Sequence, residues 1–189
     1  MPIKVAFSGS RFKYFKDVNR GGWLVHNLVW KVLDIICECV CRRDLEHKKR
    51  LGLCTDEDED ICLPCIEVHY GSNPLSVDAI VSCLTDYHPC VDGAVPHPPK
   101  SWKDPYELLK RNRKMVDESD LVVCIFVDQI TRGTKYVLEY AKKRNKPYIA
   151  YFVNTEKRIV RVYEYRLPRE LEQLAKVPEM LNKRNSKRM

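Results

Sequence analysis

Leu121-Val122-Val123-Cys124-Ile125-Phe126-Val127 is apolar at every position and rich in β-branched side chains. A strand without polar alternation suits a parallel sheet covered on both faces, because neither of its faces can meet water. It stops at a polar loop, Asp128-Gln129-Ile130-Thr131-Arg132-Gly133-Thr134, and a helical pattern follows to about Arg144. The same strand–loop–helix unit recurs on either side. Ile3–Ser8 is a short apolar strand stopped by Gly9-Ser10-Arg11, and Cys65–Tyr70 a second stopped by Gly71-Ser72-Asn73. A weak third strand falls near Cys90–Val95, a fifth at Pro147–Val153, and Ile159–Tyr165 is a candidate sixth at the sheet edge. Helical spacing predicts helices from Trp23 to about Arg42, from Pro74 to about Asp86, from Asp104-Pro105 to about Glu118, and over Pro168–Leu181.

This alternation predicts an α/β fold: a Rossmann-like open, mostly parallel sheet of about five strands with helices on both faces. Residues 1–154 form its domain, with 43–64 as a cysteine-containing surface insertion, and 155–189 a basic C-terminal extension packed on the same domain. The 189-residue length fits one such domain. With 44% hydrophobic and 31% charged residues, the composition excludes a disordered chain. No apolar run approaches the roughly 18–20 residues of a membrane span, so no membrane partner is expected. Nine cysteines, an odd number without a secretory leader, point to reduced thiols and a cytoplasmic setting. Of the net charge of +7, residues 155–189 carry ten Lys/Arg against five Asp/Glu. Their last basic pairs, Lys183-Arg184 and Lys187-Arg188, make nucleic acid a candidate partner; no aromatic follows Tyr165, which favours a plain solvated terminus.

In open α/β sheets, ligands bind beyond the carboxyl ends of the strands. Three strand tips here carry small or polar loops: Gly9-Ser10-Arg11, Gly71-Ser72-Asn73 and Asp128 to Thr134. Glycine lets backbone N–H groups approach an anion, and a following helix N-terminus adds positive partial charge. Ser10, Ser72 and Thr134 supply hydroxyls, and Arg11 and Arg132 supply guanidinium groups that suit phosphate. The expected partner is a small nucleotide-like molecule. Neither a Walker pattern nor a full Gly-x-Gly-x-x-Gly is present.

Phe7-Ser8-Gly9-Ser10-Arg11, Tyr70-Gly71 with Val77-Asp78-Ala79, Arg111 to Val123, and Arg132-Gly133-Thr134-Lys135 with Tyr140-Ala141-Lys142-Lys143 occur in that order. In this series the chain resembles the SLOG superfamily of Rossmann-like domains, in its small stand-alone bacterial and phage branch, related to the Lonely-guy phosphoribohydrolases and the DNA-processing proteins. The resemblance covers most of residues 3–153. It implies a pocket for a phosphorylated nucleoside or an NAD- or ADP-ribose-derived signal, captured or sensed without needing to be changed, in a homodimer. In a phage or virus such a protein would regulate a host signalling nucleotide inside the host cell. By position, the resemblance assigns ligand binding to Gly9, Ser10, Arg11, Gly71, Asp78, Arg111, Asn112, Arg132, Gly133 and Thr134. Between Gly71 and Asp78 the chain departs from its relatives, with Ser72-Asn73-Pro74-Leu75-Ser76-Val77 in place of a small residue and a second glycine.

The alternative is an N-glycoside hydrolase acting on nucleoside 5′-phosphates. The phosphoribohydrolases place glutamates three and four residues after the loop glycine, where this chain has Tyr136 and Val137. Glu139 is the nearest carboxylate, and Asp128 the other catalytic candidate; a surface ion pair with Lys135 or Lys143 is the plainer role for Glu139. No cofactor and no metal are assigned. Cys54, Cys62 and Cys65 with His47 have some spacing for zinc, and a disulfide or redox pair competes with it; free thiols are the expectation. Cys37-x-Cys39-x-Cys41 lies on or at the end of a helix, where residues two apart do not face one another. His69 and His88 read as structural histidines, and Trp102 as either a base-stacking ring or a staple for the following helix.

Overall fold

The computed structural model describes residues 2–51 and 64–186. β4 (Leu121–Val127) is buried along its whole length. Its side chains divide by parity: Leu121, Val123, Ile125 and Val127 enter one core, Val122, Cys124 and Phe126 the other. That division is what an unbroken apolar strand with a two-residue repeat must produce. Around it lie β1 (Ile3–Gly9), β2 (Ile66–Tyr70), β3 (Val91–Pro96), β5 (Tyr148–Asn154) and β6 (Ile159–Tyr165), in the order β3-β2-β1-β4-β5-β6. The first five are parallel. β6 adds to the expected five as an antiparallel edge, running from Tyr148↔Tyr165 to Asn154↔Ile159.

The helices are α1 (Val18–Arg50), α2 (Val77–Thr85), α3 (Pro105–Asp117), α4 (Arg132–Lys143) and α5 (Val177–Ser186). α1, α2, α5 and a 3-10 segment, Arg169–Lys176, cover one face of the sheet; α3 and α4 cover the other. The fold is the expected Rossmann-like α/β arrangement.

Four local expectations are corrected. α1 is longer than Trp23–Arg42 at both ends. Gly21-Gly22 does not interrupt it: Gly21 lies against the Phe15 ring, where a Cβ would collide, so the glycine admits a close contact inside the helix. Residues 43–50 continue as solvated helix, with Glu46 and Arg50 paired at 3.8 Å, and are not part of a loop insertion. α2 starts after Ser76, whose hydroxyl accepts from Asp78 N at 3.1 Å, and not at Pro74. Before it, Asn73 Oδ1 accepts from Leu75 N and makes a side-chain turn. The last helix divides into the 3-10 segment and α5 because Pro178 is tolerated only in a first turn.

A disulfide joins Cys37 of α1 to Cys90 before β3, which corrects the expectation of free thiols at this pair. Their Cα atoms are 5.9 Å apart, within disulfide reach, although 53 positions separate them in sequence. Cys54, Cys62 and the acidic run 56–60 lie outside the described residues.

Beyond residue 154 the chain shares the common core: Tyr151 donates its hydroxyl to Leu174 O at 2.8 Å, and the Asn182 amide brackets the Val160 backbone. Lys187 and Arg188 of the basic tail lie outside the described residues. Among the described residues, no helix is long and apolar enough to cross a membrane.

Candidate functional site

β1 pairs with β2 on one side and β4 on the other, so chain order reverses across it. A cleft opens beyond the strand tips at such a reversal, because the flanking connections leave to opposite faces of the sheet. Here it is a cavity of about 490 Å³, within the usual range for small-molecule sites. Gly9 and Arg11 after β1, Asp78 at the start of α2, Arg111 and Asn112 of α3, and Arg132, Gly133 and Thr134 of α4 all line it. These eight come from four separate stretches of sequence.

Gly9 has a specific reason to be glycine. A Cβ there would lie on the Val77 side chain, so its absence lets α2 approach the β1 tip. The bridge between Arg11 and Ser76 then ties the two loops together. On the far wall, Thr131 caps α4 by position, and its hydroxyl bonds the Thr134 hydroxyl at 3.0 Å. The Arg132, Gly133 and Thr134 amides stand in the first turn of α4, where no preceding helical carbonyl is available to them. The positive end of the helix therefore opens into the cavity.

Arg111 is the most constrained cation of the site. It reaches from α3 to the carbonyl oxygens of Gly71 and His97. Asp78 Oδ2 lies 3.9 Å away, and the Trp102 ring sits 5.7 Å from the guanidinium carbon. Trp102 thus packs on a side chain of the helix that follows it. Burial lowers the Arg111 pKa against the opposing pull of Asp78. Arg111 Nε is buried and has no hydrogen-bond partner among the described residues.

Asp78 is the carboxylate among the described residues lining the cavity. Burial raises its pKa to about 6, against the lowering effects of Arg111, the Asn73 amide and Ser76. Three guanidinium groups and one reluctant carboxyl leave the lining positive. Behind Arg111, Glu67, His69 and His97 form a chain of hydrogen bonds at 2.7 and 2.9 Å. Burial, then the His69 neighbour, holds the His97 pKa down to about 4. His88 is also buried and bonds Asp34 at 3.3 Å, so His69 and His88 are both structurally engaged.

Three expected site residues act from outside the cavity. Ser10 is fully buried, and its hydroxyl accepts from Val127 N at 3.0 Å, joining the β1 and β4 tips. Gly71 serves through its carbonyl on Arg111. Ser72 holds the left-handed turn, with φ of 59°, and its hydroxyl is buried without a partner among the described residues.

Neither expected catalytic carboxylate lines the cavity. Glu139 is exposed and pairs with Lys135 at 3.6 Å. Asp128, at φ of 58°, clamps the next strand connection: it accepts from Thr155 N, the Thr155 hydroxyl and Lys16 N at 2.7–2.8 Å. Burial works to raise the Asp128 pKa, but these hydrogen bonds outweigh it and hold the group low. Sequence reasoning missed Tyr14, Ser76 and Gln129 as lining residues.

No family model matches the chain, and no curated protein matches it.

Proposed function

We propose that this chain binds a phosphorylated nucleoside, of the NAD- or ADP-ribose-derived type, at the β1–β4 cleft. The observation that carries the reading is one cavity lined by three guanidinium groups, those of Arg11, Arg111 and Arg132, and by the open first turn of α4. Arg11 and Arg132 are exposed and suit phosphate, while the Ser8 and Thr131 hydroxyls suit a ribose. The resemblance to SLOG domains supports the same class of ligand and a role in capturing or sensing it.

Mass spectrometry of small molecules released from the denatured purified protein tests this reading. A co-purifying nucleotide supports it, as does a thermal shift across a nucleotide panel. Ligand at one hundred times its Kd adds about 2.7 kcal/mol. Absence of any shift with mono- and diphosphate nucleotides in a folded protein overturns it.

Asp78 favours a second reading, cleavage of the N-glycosidic bond of a bound nucleotide. A cavity-lining carboxyl with a pKa of about 6 is poised for acid–base work, which Glu139 and Asp128 are not placed to do. Base release from nucleoside 5′-phosphates, abolished in Asp78→Asn, distinguishes cleavage from binding alone.

A further inference from the structure

Cys37 and Cys41 lie four residues apart on α1 and so share one helix face. That face meets the entering ends of β2 and β3, where Cys65 precedes Ile66 and Cys90 precedes Val91. The sulfurs converge there. Cys41 Sγ is 3.9 Å from both Cys37 Sγ and Cys65 Sγ, and the three lie within 4.8 Å of one another. Cys90, bonded to Cys37, stands next to this trio and outside it, and its sulfur can turn in once that bond opens. Four Zn–S bonds of about 2.3 Å directed to the corners of a tetrahedron set sulfurs about 3.8 Å apart. The two 3.9 Å separations match that edge.

The backbone ties these turns together. Cys65 N and Ile66 N both donate to Cys90 O, at 2.9 and 3.0 Å, which fixes two of the cysteine-bearing turns against each other. Cys37 and Cys65 are buried, while Cys41 and Cys90 are half-buried, so the cluster is largely dry and still reachable.

We propose that Cys37, Cys41, Cys65 and Cys90, once reduced, bind one Zn²⁺ as a structural tetrathiolate centre. The Cys37–Cys90 disulfide opens by taking up two electrons and two protons from two molecules of a glutathione-class thiol, which leave as their own disulfide. The disulfide that holds Cys41 opens by the same exchange. As zinc binds, the four thiols release their protons to water and four Zn–S bonds form. The zinc staples α1 to the entering ends of β2 and β3, at the opposite end of the strands from the ligand cleft. Disulfide and zinc are alternative staples of one junction, selected by the redox state of the compartment.

The test is metal analysis of the full chain purified anaerobically with a thiol reductant, with Co²⁺ exchange as the spectroscopic readout. About one zinc per chain is expected, with thiolate-to-cobalt charge transfer and the intense visible bands of a tetrahedral site. Cys41→Ser and Cys65→Ser should each lower zinc retention against a chelator at least about tenfold, as loss of groups that merely hydrogen-bond a metal's ligands already costs about 10–100-fold. Cys83→Ser, at an exposed position of α2, should retain it fully. Where a serine variant does not fold, alkylation of the native chain decides: four thiols protected by zinc and released by chelator support the site. A folded, reduced chain that takes up no zinc overturns the proposal, as does zinc retained in Cys90→Ser but lost in Cys62→Ser.

Discussion

Replacing Asp78 with asparagine should make the protein more stable at neutral pH and leave it unchanged or weaker in acid. Asp78 is buried, and its pKa rises from 3.8 to about 6 on folding. The folded carboxyl therefore holds its proton more tightly than the unfolded one, and the folded state binds more protons between those values. Stability from this group increases as pH falls through about 6 toward 4, and the full cost of ionising it is felt above about pH 6. A rise of about two pKa units corresponds to about 3 kcal/mol of that cost at neutral pH. Asparagine keeps an oxygen at the Oδ2 position, which both the Asn73 amide and Arg111 face, but loses the charge beside Arg111, which returns about 1 kcal/mol of the gain. A net stabilisation of about 2 kcal/mol at pH ~8, vanishing by pH ~4, is expected. Urea denaturation of both proteins across this range measures it. The difference between them is the informative quantity, because His97 acts in the same window with the opposite sign: its folded pKa of about 4 makes stability fall as pH drops below its unfolded value. A difference that is flat with pH, or that favours the wild type above pH ~6, refutes the claim that Asp78 is ionised at a cost.

Three further substitutions separate site from scaffold. Asp128→Ala removes three hydrogen bonds from a charged acceptor and should cost about 2–3 kcal/mol in a denaturant melt, with little change in nucleotide affinity measured at a temperature where the variant is folded. Gly9→Ala drives a Cβ into Val77 and should destabilise by about 1–3 kcal/mol while also narrowing the cleft, so both melting temperature and affinity fall. Glu139→Gln breaks only an exposed ion pair; stability within about 0.5 kcal/mol of wild type and unchanged ligand binding are expected, and loss of a nucleotide-cleaving activity in this variant would return Glu139 to the chemistry.

The strands were readable because a doubly covered parallel strand is a contiguous apolar run, and β4 and β5 have no competing interpretation. The edges of α1 were not, since Gly21-Gly22 and the charged residues 43–50 carry local signals for a break that packing against Phe15 and solvated helix pairing override. At the candidate site, the glycines and arginines of the strand-tip loops come to one cavity, but the sequence alone does not say which of them face it. Ser10 looks like a phosphate-facing hydroxyl until the β4 tip claims it through Val127. Tyr14 enters through a 3-10 turn, Phe12–Tyr14, that no periodicity marks. Asp128 looks catalytic in sequence, yet its left-handed backbone turns its carboxylate to Lys16 and Thr155. The Cys37–Cys90 pairing was illegible for a different reason: it is a tertiary contact across 53 positions, and only the i,i+4 relation of Cys37 and Cys41 was local.

The most direct measurement is calorimetric titration of an adenine nucleotide series, ending in ADP-ribose, into the wild type and an Arg11→Gln/Arg132→Gln double variant. Both arginines are exposed cavity-lining groups, so their loss leaves the core intact. Affinity should increase with phosphate count, weaken with salt, and fall by about tenfold or more in the double variant, since each charged hydrogen bond contributes about 1.5–3 kcal/mol. Equal affinity in the two proteins, or no binding heat from any nucleotide, contradicts a phosphate-binding cleft at this rim.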